Sequence, residues 1–175
     1  MSDSRTIVLI GLSGAGKSTV ARLLGERLGV RVVDLDAAIE TDARSSVAQI
    51  FAREGETGFR RREVDRLSSV LRDPPGVLAC GGGVILEPQA RTLLSTGCRV
   101  VWLEVSPAEA ARRLGDGAAV RPLLAGGLPR LDAMLAERAD LYGTIAEARI
   151  PTDGRTPEQV AAAVTASLGL VSGAS

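Results

Sequence analysis

Residues 11–19 read Gly11-Leu12-Ser13-Gly14-Ala15-Gly16-Lys17-Ser18-Thr19, and this stretch limits what the chain can fold into more than any other. It matches G-x-x-x-x-G-K-[ST], a glycine loop whose backbone N–H groups surround phosphate oxygens. Its flanks suit the task. Thr6 to Ile10 is a short apolar, β-branched run and reads as a buried strand. Val20, Leu23, Leu24, Arg27 and Leu28 recur at helical spacing up to Gly29. A strand, a glycine loop and a helix N-terminus together aim several N–H donors and the positive end of a helix dipole at one anion. Of the 21 lysine and arginine residues, Lys17 is the lone lysine. A chain that uses arginine everywhere else has kept the compact ammonium where a forked guanidinium fits poorly. Gly14, Ala15, Gly16, Lys17, Ser18 and Thr19 are therefore expected to hold a nucleotide triphosphate. Lys17 would reach its β- and γ-phosphates, and the Ser18 hydroxyl would meet Mg²⁺.

Composition removes several other chemistries. The 175 residues carry 21 basic and 21 acidic groups and only four Phe, Tyr or Trp. That leaves no basic stripe with stacking rings, so a nucleic-acid surface is not expected. Histidine is absent, which rules out Ser-His-Asp catalysis and His-ligated zinc. Two cysteines, Cys80 and Cys98, are too few for a disulfide framework and read as buried thiols of a reducing compartment. Met1 to Arg5 is polar and a core strand follows at once, so no signal peptide is expected. No apolar run approaches membrane-spanning length. The expectation is a cytoplasmic protein, a single domain over 1–175, acting as a monomer.

Strand-like and helix-like patterns alternate, which predicts an α/β fold with a parallel sheet and helices on both faces. Further strands are expected at Arg31 to Leu35, Gly76 to Cys80, Arg99 to Val105 and Ala148 to Pro151. Ser106-Pro107-Ala108-Glu109 and Thr156-Pro157-Glu158-Gln159 carry helix-start signals. Glycines bound the stretch from about 115 to 127, a candidate mobile lid. Residues 170–175 read as a frayed tail.

Three sets of residues point to an acceptor site. Thr57 to Arg72 is helical by pattern, and Arg60 falls on the face marked by Val64, Leu67 and Leu71. Arg138 likewise interrupts the stripe Leu131, Met134, Leu141, Tyr142 and Ile145. An inward arginine is costly unless an anion or hydrogen-bonding group meets it. Each either snorkels outward, pairs with an acid of the chain itself, or helps clamp a carboxylate or phosphate on the acceptor. Asp34 and Asp36 close the second strand, where period-2 alternation turns both carboxylates to one side; a helix cap is the plainer reading of Asp36. Gly81-Gly82-Gly83 follows the third strand and offers bare backbone to a ligand.

Taken in order, GLSGAGKST, DLDAAIE, GFRRRE, CGGGVI, VRPLL and ERADLY resemble the shikimate kinases, from about Ile7 to about Val164. The resemblance implies the P-loop kinase fold, a five-stranded parallel sheet in order 2-3-1-4-5. It implies ATP-dependent phosphorylation of the 3-hydroxyl of shikimate, on the route to chorismate and the aromatic amino acids. ATP and shikimate would then be the partners, and one Mg²⁺ the cofactor. It implies Asp36 at the acceptor hydroxyls and as base, Arg60 and Arg138 on the acceptor carboxylate, and Gly82 in the acceptor wall. Arg121 would meet the ATP phosphates, with Lys17 and Asp36 completing the catalytic set. Arg155 would lie near the adenine, and Asp34 would reach Mg²⁺ through water. The third strand ends without an acid, so Asp34 takes the place of the usual metal-side aspartate.

Overall fold

The structure, a computed structural model, describes residues 5–115 and 126–170. Arg121, residues 116–125 of the expected lid and residues 171–175 lie outside the described residues. Five parallel strands form one sheet: β1 (Thr6–Ile10), β2 (Val32–Asp34), β3 (Val77–Ala79), β4 (Cys98–Glu104) and β5 (Ala148–Pro151). Their order is β2-β3-β1-β4-β5, the order the resemblance implies. Glycine loop and helix follow β1 as read: α1 spans Lys17–Leu28 and stops on Gly29 in a left-handed conformation.

Alternation along the strands divides the core into two layers. Ile7, Leu9, Val101, Leu103 and Ile150 face α1, α5 (Pro107–Leu114) and α7 (Pro157–Ser167). Val8, Ile10, Leu78, Val100 and Trp102 face α2 (Leu35–Ala43), α3 (Val47–Val70), α4 (Pro88–Gly97) and Tyr142 of α6 (Gly127–Ile145). Ligands of such sheets sit beyond the carboxyl ends of the strands, where β1 and β3 release the glycine loop and the triple glycine.

Caps fix where the site helices begin. Ser106 accepts from the Glu109 N–H, with Pro107 in the first turn of α5. Thr156 and Gln159 close a reciprocal capping box on α7. α3 starts ten residues before the predicted Thr57, on a Ser46–Gln49 box. It bends at Gly55, whose φ of 69° and ψ of −176° break the helical run. That bend brings the Phe51 and Phe59 rings to 4.7 Å and lets Arg62 fork onto Glu54 at 2.7 and 3.0 Å. In a straight helix, residues eight apart would stand about 12 Å apart along the axis. The helical pattern could not register a turn whose continuity depends on one glycine.

Gly25 seats α1 on the sheet edge, since a Cβ there would run into the Val32 side chain. Gly25→Ala gains helix propensity of about 1 kcal/mol, yet the overlap should outweigh it. We expect a net loss of about 1–3 kcal/mol in denaturant unfolding, most of it recovered by Gly25→Ala combined with Val32→Ala.

Candidate active site

Gly14 and Gly16 of the glycine loop have φ of 85° and 86°, which a side chain would resist. Gly16 caps α1 without a side-chain bond, so the first-turn N–H groups stay directed at the loop interior. Lys17 folds back across the loop, its Nζ donating to the carbonyls of Gly11 and Leu12 at 2.8 Å each. Arg113 of α5 ties the loop to its neighbour, donating to Gly14 O at 3.2 Å, Thr152 Oγ1 at 3.1 Å and Thr152 O at 2.8 Å. Arg155 follows on that same neighbouring loop and lines the cavity of about 680 Å³ that the glycine loop opens into.

Asp34 and Asp36 both line this cavity, though not for the reason strand alternation supplies. β2 ends at Asp34, and Asp36 is already in the first turn of α2. The cap is Asp34, whose Oδ1 accepts from the Ala37 N–H at 3.2 Å. Its Oδ2 accepts the Ser18 hydroxyl at 2.5 Å. Two oxygen groups therefore converge beside the phosphate loop, a donor set that suits a hard cation such as Mg²⁺. No group of three or more His, Cys, Asp or Glu that could cage a metal occurs among the described residues. An ion held chiefly by phosphate oxygens and water needs none.

Arg60 and Arg138 face inward as expected; they are 6% and 2% exposed. Arg60 does meet an acid of its own helix. Its Nη1 donates to Glu63 Oε2 at 2.6 Å, and its guanidinium lies over the Phe59 ring. Burial works against the Arg60 charge, but the Glu63 and Glu56 carboxylates more than offset it. Arg138 Nη1 donates instead to the Gly82 carbonyl at 3.3 Å, which also accepts the Tyr142 hydroxyl at 2.5 Å. Glu137, a further partner of Arg138, is largely in water. Glu63 itself is completely buried. Burial, opposed by Arg60 and reinforced by Asp36, raises its carboxyl to about 7.

Each glycine of the triple turn is bare for a different reason. A Cβ on Gly81 would stand 2.8 Å from both Asp36 Oδ1 and Glu63 Oε1. On Gly82 it would press on the Gly11 carbonyl at 3.1 Å, and on Gly83 it would overlap the Arg60 guanidinium. The turn is thus where the acids, the phosphate loop and the arginine meet. A second cavity of about 430 Å³, lined by Phe51, Phe59, Arg60, Glu63, Met134 and Arg138, shares Ser13, Asp36, Gly81 and Gly82 with the first. One cavity has the donors for a triphosphate; the adjoining one has two buried guanidiniums and the Asp36 and Glu63 carboxylates in its lining.

A family model for shikimate kinase matches residues 13–169. The chain belongs to the shikimate kinase family. The shikimate kinase of Thermobifida fusca is 46% identical over 169 residues, which is 96% of this chain and 97% of the relative. That of Mycobacterium tuberculosis is 47% identical over 155 residues, 87% of each. The solved structure of shikimate kinase from Acinetobacter baumannii in complex with shikimate aligns with a TM-score of 0.89 at 34% identity, over 94% of this chain and 93% of that one. A gluconokinase from Sinorhizobium meliloti, at 17% identity and a TM-score of 0.62, shares the fold alone. As a shikimate kinase, the chain phosphorylates shikimate at the expense of ATP.

Among the site residues of this shikimate kinase, Glu63, Tyr142 and Arg113 escaped a role in the sequence reading. Glu63 stood inside GFRRRE, and Tyr142 was counted as one more apolar position. Arg113 carries no local signal; only the tertiary fold brings Thr152 and Gly14 to it. Gly83 supplies the sharpest test of this arrangement. Gly83→Ala should push the Arg60 guanidinium aside and lower kcat/KM for the acceptor at least about tenfold, the cost of about 1.4 kcal/mol, while KM for ATP stays within about twofold. Steady-state kinetics with each substrate varied in turn will check it.

Proposed function

We propose that the chain transfers the γ-phosphoryl group of ATP to the 3-hydroxyl of shikimate, with the acceptor carboxylate held between Arg60 and Arg138. The observation that supports this most is the pair of buried guanidiniums from two different helices beside one glycine turn, next to the phosphate loop. Two inward arginines demand anionic or carbonyl partners; the chain supplies Glu63 and Gly82 O, and an acceptor carboxylate completes the set. Gluconate kinases and nucleoside monophosphate kinases share a phosphate loop and are the nearest alternatives. A GTPase-like switch would need the N-K-x-D guanine motif, and Lys17, the lone lysine, is already in the phosphate loop.

In this reading Gly14 to Thr19 hold the triphosphate, and Lys17 turns from its carbonyl partners to the β- and γ-phosphates. Arg155 borders the adenine, and Arg121, outside the described residues, comes to the transferring group. Ser18, and Asp34 through water, hold Mg²⁺, which when bound neutralises charge on the phosphates. Asp36 orients the acceptor hydroxyl and takes its proton. Gly82 walls the acceptor. Positioning and electrostatics then supply the catalysis, since phosphoryl transfer asks little covalent chemistry of the protein. Cys80 and Cys98 are buried free thiols, which favours a reducing compartment such as the cytoplasm.

A coupled ADP-release assay over shikimate, gluconate and nucleoside monophosphates should find turnover with shikimate alone. Arg138→Leu is the cleaner variant, because its hydrogen-bond partners among the described residues are a carbonyl, the Tyr142 hydroxyl and a solvated acid. Losing a buried charge-assisted contact costs about 2–5 kcal/mol. Arg138→Leu and Arg60→Leu should each lower kcat/KM for shikimate by roughly 30-fold or more, with ATP affinity unchanged. A variant that loses ATP binding in parallel would mark that arginine as structural.

A further inference from the structure

Glu63 is a buried acid for which phosphoryl transfer has no stated use. The groups that face it come from four elements. Arg60 shares its helix, with Glu56 beyond it; Asp36 comes from α2; Arg138 and Tyr142 come from α6; and Cys80 follows β3. Burial pushes the Tyr142 hydroxyl up to about 12 and the Cys80 thiol well above its ordinary value, so both are neutral near pH 7. Glu56 is about half exposed and screened by water. Among the described residues the fully buried charges here are then Arg60 and Arg138 against Glu63, with the partly buried Asp36 beside them.

The acceptor reading, on which this inference rests, adds a further carboxylate that competes with Glu63 for Arg60. Two carboxylates would then crowd one guanidinium in a desolvated pocket, which is costly. Geometry singles out the group that can relieve it. Glu63 is fully buried, and its Oε1 has no hydrogen-bond partner among the described residues. That oxygen faces Asp36 Oδ1 across the bare Gly81, each 2.8 Å from the position a Cβ would take. Its other oxygen holds the very guanidinium that the acceptor needs.

We propose that Glu63 is a positioning residue that takes up one proton from solvent when the anionic acceptor binds, releasing the Arg60 guanidinium from an ion pair to the acceptor carboxylate. As a neutral acid, Glu63 remains within reach of Arg60 and gains an O–H to donate. The empty pocket already favours this, because burial holds the Glu63 carboxyl up at about 7. An added anion near Arg60 raises it further. Below that value the proton is already present in the empty protein, and binding takes up little. Above it, uptake approaches one proton, and acceptor affinity falls with rising pH by at most about tenfold per unit.

Calorimetric titration of the full chain with shikimate, in Tris, HEPES and PIPES buffers, reads the proton directly from the dependence of enthalpy on buffer ionisation heat. Near pH 8 the slope should correspond to uptake approaching one proton; near pH 6 it should shrink towards zero. Glu63→Gln should abolish the slope at pH 8. A flat wild-type slope at pH 8 overturns the proposal, and so does a slope that survives Glu63→Gln. If the glutamine variant fails to fold, the wild-type profile decides, and a slope unchanged between pH 6 and pH 8 overturns it. Binding of shikimate without proton uptake defeats this proposal alone. No binding of shikimate defeats the acceptor reading and this proposal with it.

Discussion

The two halves of the site depend on one backbone contact, the triple-glycine turn lying on the phosphate loop. β1 and β3 pair in parallel through Ile7 to Leu9, and Cys80 N donates to Leu9 O at 3.0 Å. Both chains therefore leave the sheet side by side. Gly82 then rests so close to Gly11 that even a methyl group would have to displace the carbonyl. The Gly11 carbonyl also accepts from Lys17, and the Gly82 carbonyl accepts from Arg138 and Tyr142. A single seam thus joins the phosphate loop to the wall of the adjoining cavity, and in-line transfer between two such cavities is sensitive to their separation.

Buried charge is what this arrangement costs. Arg60, Glu63 and Arg138 are withdrawn from water in a pocket where replacement by apolar groups of the same volume would often be neutral or stabilising. Keeping them makes sense if the pocket must receive a charged ligand. The more exposed pairs at the rim of the first cavity and on α3 play a lesser part in this charge burial. Arg112 and Arg113 hold the Glu109 carboxyl down to about 2, and Arg62 and Arg53 do the same for Glu54. Exposed pairs of this kind direct side chains more than they stabilise a fold.

Local features were legible in the sequence, and features that require a second segment were not. β1, the glycine loop and α1 are contiguous, so pattern and spacing sufficed for them. Helical periodicity also turned Arg60 and Arg138 inward, and the i, i+3 spacing of Glu63 from Arg60 was a local signal left unread, but periodicity could not say that Arg138 meets a carbonyl 56 residues away. Asp34 and Asp36 were rightly brought together on a mistaken premise, because α2 begins between them. The three glycines were read as open backbone; which neighbour forbids a side chain at each became visible only with Asp36, Glu63, Gly11 and Arg60 in place. Strand order came from the resemblance, since alternating patterns do not encode it.

If the seam sets the transfer distance, a disturbance confined to it should separate binding from chemistry. Gly82→Ala keeps every backbone donor and carbonyl, and its methyl would press on Gly11 O from 3.1 Å. The measurement is binding of ATP and of shikimate by calorimetry, alongside kcat, for that one variant. This account predicts dissociation constants within about threefold of the parent and a kcat lowered at least about tenfold, since displacements of up to an ångström can cost on the order of a hundredfold. Undiminished kcat with both substrates bound would contradict it.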